Sequence, residues 1–226
     1  MLFRSGNISH ELKTPIFNIQ GYVLTLLDGG LEDPSINRDY LIKAEKSINR
    51  MIAIIDDLET ISMLESNQLQ LNKSRFDILS LLREAMEAVE IKARKKDCSI
   101  FLSQIYDRPI YVIADRQRIL QVLINLLDNA VKYGRKKEGK VKIGFFDMDE
   151  HILIEISDNG PGIAQQDLPR IFERFYRTDK GRAREQGGTG LGLAIVKHIL
   201  EAHNQSVTVR STLEVGTTFG FTLLRG

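Results

Sequence analysis

The chain has little cysteine, no long apolar run and almost no net charge, and each shortage excludes a class of proteins. Cys98 is the only cysteine in 226 residues, which excludes an internal disulfide and a cysteine-based metal cluster and suits a reducing compartment. No apolar run approaches the roughly 18–20 residues of a membrane-spanning helix, and no signal peptide is visible. The formal net charge of +1 gives no reason to expect a polyanionic partner. We therefore expect no nucleic acid partner and no membrane contact by this segment.

Two regular apolar seams are present in the first third of the chain. Helices are predicted over 8–27 and 35–65, joined by turn residues. Their apolar residues alternate spacings of three and four: Leu12, Ile16, Ile19, Val23 and Leu26, then Leu41, Ala44, Ile48, Met51, Ile55 and Leu58. One antiparallel hairpin does not easily bury two seams, so we expect pairing with a second copy into a four-helix bundle. The alternative is a helical cap docked on the following domain.

Beyond residue 66 the apolar period changes, and strand and helix patterns mix. Asp115 is the predicted N-cap of a strong helix over 116–133. The other predicted elements are a strand-like alternation at 69–71, helices over 77–95 and 191–202, and strands over 99–104, 110–114, 140–146, 151–157, 205–211 and 216–224. These patterns predict an α/β domain.

The stretch Ser9–Pro15 concentrates reactive side chains early in the first helix. His10 and Thr14 are four residues apart and share a helix face, and Glu11 lies about 100° around from His10. Pro15 cannot donate to the carbonyl of Glu11, so a bend is expected there. On the seam register these three side chains point outward. A lone histidine is more often an ordinary surface residue, so its meaning depends on the rest of the chain.

The helix over 116–133 carries a polar stripe on an otherwise apolar surface. Asn125, Asn129, Lys132 and Tyr133 are spaced i, i+4, i+7 and i+8, so they lie on one side of the helix. Amide oxygens suit a hard cation such as Mg²⁺, and a lysine suits phosphate. The alternative is a solvated face with incidental amides.

Two glycine-containing turns are further candidates for a ligand site. Asp158–Gly162 follows a predicted strand, where glycine permits close approach and a desolvated carboxylate can accept from the exocyclic amine of adenine. Gly187–Leu193 runs into a helix whose N-terminal N–H groups can hold phosphate oxygens, after a polar stretch typical of a mobile lid at 178–186. The alternatives are an ordinary turn and a structural hinge.

Two familiar nucleotide motifs are excluded. Gly134–Val141 nearly fits the P-loop spacing, but Val141 replaces the Ser/Thr that would contact Mg²⁺, and the stretch follows a helix instead of a strand. We interpret it as a basic surface loop. Gly188, Gly190 and Gly192 are spaced G-x-G-x-G, which is not the Rossmann fingerprint.

Taken together, these motifs resemble those of bacterial sensor histidine kinases over nearly the whole chain. Each motif is weak alone, but their order along the chain is highly specific. Ser9–Pro15 resembles the H box, Asn125–Tyr133 the N box, Asp158–Gly162 the G1 box, Phe172–Phe175 the F box, Gly188–Leu193 the G2 box, and Gly216–Phe219 the glycine-threonine element of the last strands.

The resemblance implies an α + α/β chain of two domains. Residues 1–66 would be the dimerisation and histidine-phosphotransfer domain, an antiparallel helical hairpin that forms a dimeric four-helix bundle. Residues 67–226 would be the catalytic ATP-binding domain, an α/β sandwich of the gyrase and histidine-kinase ATPase type. It also implies ATP and Mg²⁺, a homodimer through residues 8–65, and the receiver domain of a response regulator as partner. The implied location is cytoplasmic, whether or not a full-length parent is anchored in the inner membrane.

By the same resemblance, His10 attacks the γ-phosphate of ATP and Glu11 is the neighbouring base. Thr14 matches the position linked to dephosphorylation of the regulator. Asn125 would hold Mg²⁺, Asn129 and Lys132 would contact phosphates or the ion, and Asp158 would read the adenine amine. The other residues of the implied nucleotide site are Tyr133, Gly160, Gly162, Ile163, Phe175, Gly188, Thr189, Gly190, Leu191, Gly192, Leu193 and Thr217.

The leading hypothesis is autophosphorylation on His10 followed by transfer to an aspartate of the regulator. One alternative is a dimerisation scaffold whose nucleotide site acts only as a switch, and the other is a non-kinase ATPase of the same superfamily. The intact His10–Glu11 pair argues against both, because neither alternative gives it a purpose.

Overall fold

The computed structural model describes residues 5–65, 70–135, 137–178 and 188–226. The chain begins with a helical hairpin, in which α1 (Ser5–Thr25) continues through Pro15 without a break. A wide turn at Leu26–Gly30 includes Gly29 at φ +100°, and α2 (Asn37–Glu65) returns along α1. Both predicted helices are thus observed, with ends shifted by a few residues.

The two seams of the hairpin are only partly covered. Leu26 and Ala44 are buried, and Tyr22 packs edge-on against Tyr40 with ring centroids 5.7 Å apart. Other seam residues remain 42% to 55% exposed in the single chain: Ile16, Val23, Leu41, Ile48 and Ile55. One hairpin therefore leaves much of its apolar surface in water.

The remainder of the described chain is one α/β unit. Its elements are β1 (Lys73–Asp77), α3 (Ile78–Lys95), β2 (Cys98–Leu102), β3 (Tyr111–Asp115), α4 (Arg116–Tyr133), β4 (Gly139–Met148), β5 (His151–Asp158), α5 (Gly192–Ala202), β6 (Val207–Thr212) and β7 (Gly216–Arg225). In the described residues, seven strands form one sheet of order β1-β3-β7-β5-β4-β2, with β6 also pairing to β7. Only the β2–β4 pair among these is parallel. Helix α4 packs between α3 and α5 and against the sheet, which confirms the predicted α/β sandwich.

Helix α4 forms where the sequence predicts it because its signals agree. The Asp115 carboxylate accepts from the N–H groups of Gln117 and Arg118, both at 3.1 Å, as an N-cap does. The predicted apolar side is buried: Ile119, Val122, Leu123, Leu126, Leu127 and Ala130. The polar stripe is consequently turned toward the opposite side.

Strand β1 is not predicted by the sequence. The predicted strand-like alternation lies at 69–71, where residue 69 lies outside the described residues and Gln70 and Leu71 have no regular structure. The observed strand, Lys73–Asp77, is an edge strand with three exposed residues at its start. An edge strand of this composition shows too little apolar alternation to be recognised.

Helix α2 also docks on the α/β unit, mainly through residues outside the seam, and the seam residue Leu58 packs on the same core. Ile54, Ile61 and Leu64 are buried in the same core as α5, and α2 contacts α5 directly. The structure therefore combines an exposed seam with the docked contact that the alternative reading predicts.

Among the described residues, no helix combines the length and the apolar character that crossing a bilayer requires.

Candidate functional site

A cavity of about 400 Å³ opens between the polar stripe of α4, the end of β5 and the start of β7. Its lining includes nine of the predicted site residues: Asn129, Lys132, Tyr133, Asp158, Gly160, Gly162, Ile163, Leu193 and Thr217. The structure thus brings together residues from four separate motifs. A mixed polar and apolar cavity of this size suits a small-molecule ligand.

Asp158 is held rigidly at the end of β5. Its Oδ1 accepts from the N–H of Gly160 at 2.8 Å, and the backbone of Thr217 also bonds the carboxylate. Burial raises the pKa of Asp158, and these backbone bonds oppose that rise. A desolvated, fixed carboxylate is a selective acceptor for an amine donor.

Two glycines have conformations that their turns require. Gly162 has φ +73°, and a side chain there would run into the backbone of Thr212. Gly190 has φ +77° and its carbonyl accepts from the N–H of Phe175 at 2.9 Å. Phe175 itself has φ 61°, so the F and G2 motifs meet in a tight backbone contact.

Lys132 places its ammonium group beside Gly188, in the space that a side chain at Gly188 would occupy. Burial, followed by the nearby charge of Arg177, lowers the pKa of Lys132 to about 8. The ammonium also lies 4.8 Å from the ring centroid of Tyr133. A lysine in this environment gains from an incoming anion, because the anion replaces lost hydration.

Asn125 lies one turn before Asn129, beside the start of α5. A Cβ atom at Gly192 would lie 3.4 Å from its Oδ1, which is an ordinary van der Waals distance. Its buried Nδ2 has no hydrogen-bond partner among the described residues. A side-chain amide whose Nδ2 has no hydrogen bond in the described residues is a candidate to present its oxygen to Mg²⁺.

The glycine-rich segment is tied to the hairpin. Thr189 donates from Oγ1 to Asp57 Oδ2 of α2 at 2.7 Å, and Leu191, fully buried, donates its N–H to Thr189 Oγ1. Gly187 and residues 179–186 of the predicted lid lie outside the described residues.

The H motif lies on α1, outside the cavity. His10 is exposed, and Thr14 donates from Oγ1 to the His10 carbonyl at 3.1 Å. Glu11 is less exposed than the outward register predicts, because two arginines cover it.

Those arginines are functional candidates that the sequence reading missed. Arg50 of α2 and Arg177 at the cavity edge donate to Glu11 Oε2 at 3.1 Å and 3.4 Å. Arg177 also donates to the carbonyl of Gly188. Tyr176, Ile171 and Phe219 line the cavity as well. The position of Arg177 two residues after the F motif is the one signal for it in the sequence.

Comparison with known proteins gives matches for two separate parts of the chain. A family model described as "Histidine kinase-, DNA gyrase B-, and HSP90-like ATPase" matches residues 114–226, and one described as "His Kinase A (phospho-acceptor) domain" matches residues 5–67. The Acinetobacter baumannii histidine kinase AdeS is 30% identical with a TM-score of 0.75, covering 96% of this chain and 98% of that one. The histidine kinase ThkA, solved in complex with the response regulator protein TrrA, is 27% identical with a TM-score of 0.78, covering 98% and 61%.

Curated relatives are longer. Sensor histidine kinase WalK of Bacillus subtilis is 36% identical over 220 residues, which cover 96% of this chain and 36% of the relative. Sensor protein kinase WalK of Staphylococcus aureus is 34% identical over 219 residues, covering 96% and 52%. The chain thus spans between a third and about half of these relatives.

Proposed function

The chain belongs to the sensor histidine kinases, and from that premise we propose that it transfers the γ-phosphoryl group of ATP to His10 and then to an aspartate of a response regulator. One observation carries the proposal. Arg177 lines the cavity and also bonds Glu11, the residue next to His10. A single side chain therefore connects the cavity to the residue that follows the candidate nucleophile.

His10 is suited to the role of nucleophile because it is exposed on a helix that both a nucleotide and a protein partner can approach. A lone pair on one ring nitrogen forms the N–P bond, while the bond from the γ-phosphorus to ADP breaks and ADP keeps the electron pair. The N–H of the other ring nitrogen donates to Glu11, which stabilises the developing positive charge. The resulting phosphohistidine is the donor to the regulator.

Cavity residues would bind ATP at its two ends. Asp158 accepts from the adenine amine, and Lys132 and Asn129 contact the phosphates. Asn125 would hold Mg²⁺, which neutralises phosphate charge when bound. Gly160, Gly162, Gly188, Gly190 and Gly192 keep the backbone close to the ligand.

The proposal divides the chain as the motifs do, into residues 1–66 for dimerisation and phosphotransfer and residues 67–226 for nucleotide binding. The exposed seam residues support a homodimer through residues 8–65. Thr14, bonded one turn after His10, is assigned to orienting water for dephosphorylation of the regulator. The cytoplasmic location, with or without an anchored parent, stays a prediction.

Labelling with γ-³²P-ATP and Mg²⁺ tests the proposal. We expect a label that is lost in acid and kept in alkali, that disappears in His10→Gln, and that fails to form with excess chelator. His151→Gln, at the start of β5, is the control that should keep the label.

Three outcomes count against the proposal. Free phosphate without labelled protein would favour the non-kinase ATPase. Nucleotide binding with neither label nor phosphate release would favour the switched scaffold. Label that persists in His10→Gln would remove His10 from the mechanism.

A further inference from the structure

The carboxylate of Glu11 is contacted by two guanidinium groups from different parts of the chain. Arg50 Nη2 lies 3.1 Å and Arg177 Nη2 lies 3.4 Å from the same oxygen, Oε2. The three side chains are 17%, 8% and 19% exposed, for Arg50, Arg177 and Glu11 respectively. Charge pairs that are this well shielded from water orient each other strongly.

The two arginines differ in what they are attached to. Arg177 lines the nucleotide cavity, so its bond to Glu11 depends on how the α/β unit sits against the hairpin. Arg50 lies on α2 of the same hairpin that carries His10 and Glu11. Both partners of its bond to Glu11 therefore lie on the hairpin, and neither belongs to the α/β unit.

Arg50 also has one hydrogen-bond donor that makes no bond in the described residues. Its buried Nε has no hydrogen-bond partner among the described residues. Nε and Nη2 form the edge of the guanidinium that can make two parallel bonds to one carboxylate. A buried donor without a bond costs stability. Its place next to a carboxylate indicates a contact that is completed in another arrangement of the site.

We propose that Arg50 is the positioning residue of Glu11, fixing the carboxylate so that one of its oxygens faces the imidazole of His10 during phosphoryl transfer. When Arg177 leaves with the α/β unit, Arg50 closes its second bond and keeps the carboxylate oriented. The inference rests on the proposed function, because it assigns a task to a residue that acts only through Glu11.

A double-mutant cycle tests the assignment in the whole chain. Single-turnover labelling at saturating ATP is measured for the unchanged chain, Arg50→Gln, Glu11→Gln and the double variant. We expect Arg50→Gln to slow labelling by about tenfold, on the scale of a partial loss of acid–base assistance. Because Arg50 acts through Glu11, the double variant should be no slower than Glu11→Gln alone.

Three further measurements separate positioning from a general structural role. ATP affinity of Arg50→Gln should stay within twofold of the unchanged chain, since Arg50 does not line the cavity. Arg50→Lys keeps the charge and should recover part of the rate. Arg38→Gln, an exposed arginine near the start of the same helix, should leave the rate unchanged.

Three results would each overturn the assignment. They are multiplicative rate losses in the double variant, a labelling rate of Arg50→Gln equal to that of the unchanged chain, and a loss of ATP affinity in Arg50→Gln. Failure of the unchanged chain to label on His10 would overturn the proposed function together with this inference. Labelling on His10 with multiplicative losses would overturn the role of Arg50 alone.

Discussion

At the scale of single residues, Lys132 lies where burial and a neighbouring cation both disfavour its charge. Its pKa is lowered to about 8 in the ligand-free chain, and phosphate oxygens would stabilise the protonated form. Above pH 8, binding of ATP must therefore take up a proton. We expect ATP affinity to fall by about tenfold per pH unit above 8 and to change little between pH 6.5 and 7.5.

Equilibrium binding of ATP at a series of pH values checks this expectation. In Lys132→Met the affinity should be lower throughout and should lose its dependence on pH above 8. Lys142→Met, on an exposed position of β4, is the control and should keep the pH dependence. A pH dependence retained in Lys132→Met would assign it to another group.

Asp158 is expected to determine the choice of base. Its fixed, half-buried carboxylate can accept from an amine, which adenine has and guanine lacks at the corresponding position. Asp158→Asn should weaken ATP by about 10- to 100-fold, corresponding to about 1.5–3 kcal/mol for a hydrogen bond to a charged group. Competition titrations with ATP and GTP measure this loss, with Asp147→Asn as an exposed control. Unchanged ATP affinity in Asp158→Asn would refute the adenine assignment.

Residues on a single helix or turn could be predicted from spacing, but residues that act across the chain could not. Asn129, Lys132 and Tyr133 share one stripe of α4, and they do line one cavity. Arg177 and Glu11 are 166 positions apart, and Arg50 and Glu11 are 39 apart. No local pattern brings such pairs together, because their contact depends on how whole elements pack.

At the scale of elements, His203 joins the end of α5 to the junction of β3 and α4. Its Nε2 accepts from the N–H of Asp115 at 3.0 Å, so Nδ1 carries the proton and bonds the Ile199 carbonyl at 2.8 Å. Burial lowers the pKa of His203, and the nearby Lys73 adds to that effect while the Ile199 bond and Asp115 oppose it. The two hydrogen bonds that join these elements therefore require the neutral imidazole.

Because the folded chain holds His203 neutral, its contribution to stability is complete above the ordinary histidine pKa of about 6.5 and is lost as pH falls through the lowered value. We expect protonation to cost about 1 kcal/mol, as for a broken buried hydrogen bond. Urea unfolding at pH 7.5 and 5 measures this cost. His203→Gln should flatten the difference between the two pH values, whereas His151→Gln should keep it. An equal difference in His203→Gln and the unchanged chain would contradict the prediction.

Elements were predictable where independent signals agreed. Helix α4 lies at the predicted residues because an N-cap and an apolar period coincide there. Strand β1 was missed because it pairs along one edge only and has exposed residues at its start. The position of β1 is set by its pairing with β3. The local order of apolar and polar residues carries no information about that pairing.

At the scale of the whole molecule, α2 has two apolar faces with different tasks. Ile54 and Ile61 are buried against the α/β unit, while Ile48 and Ile55 remain 42% and 43% exposed. The sequence predicts a dimerisation seam, with docking of the hairpin on the following domain as the alternative. The two contacts are compatible because Ile54 and Ile61 lie outside the seam, which meets the docked core at Leu58. This division of α2 depends on how whole elements pack.

The exposed seam predicts that the unchanged chain forms a dimer. Two substitutions in the seam should dissociate it. Burying an isoleucine side chain contributes about 1.5–3 kcal/mol, and a glutamate there would lose this and would have to shed its hydration. We expect the Ile48→Glu, Ile55→Glu double variant to raise the dissociation constant by at least about 100-fold in analytical ultracentrifugation. Ala53→Glu, an exposed apolar residue off the seam on the same helix, should leave it unchanged. A chain that sediments as a monomer at every concentration would refute the dimer, and a double variant that dimerises normally would place the interface elsewhere on the hairpin.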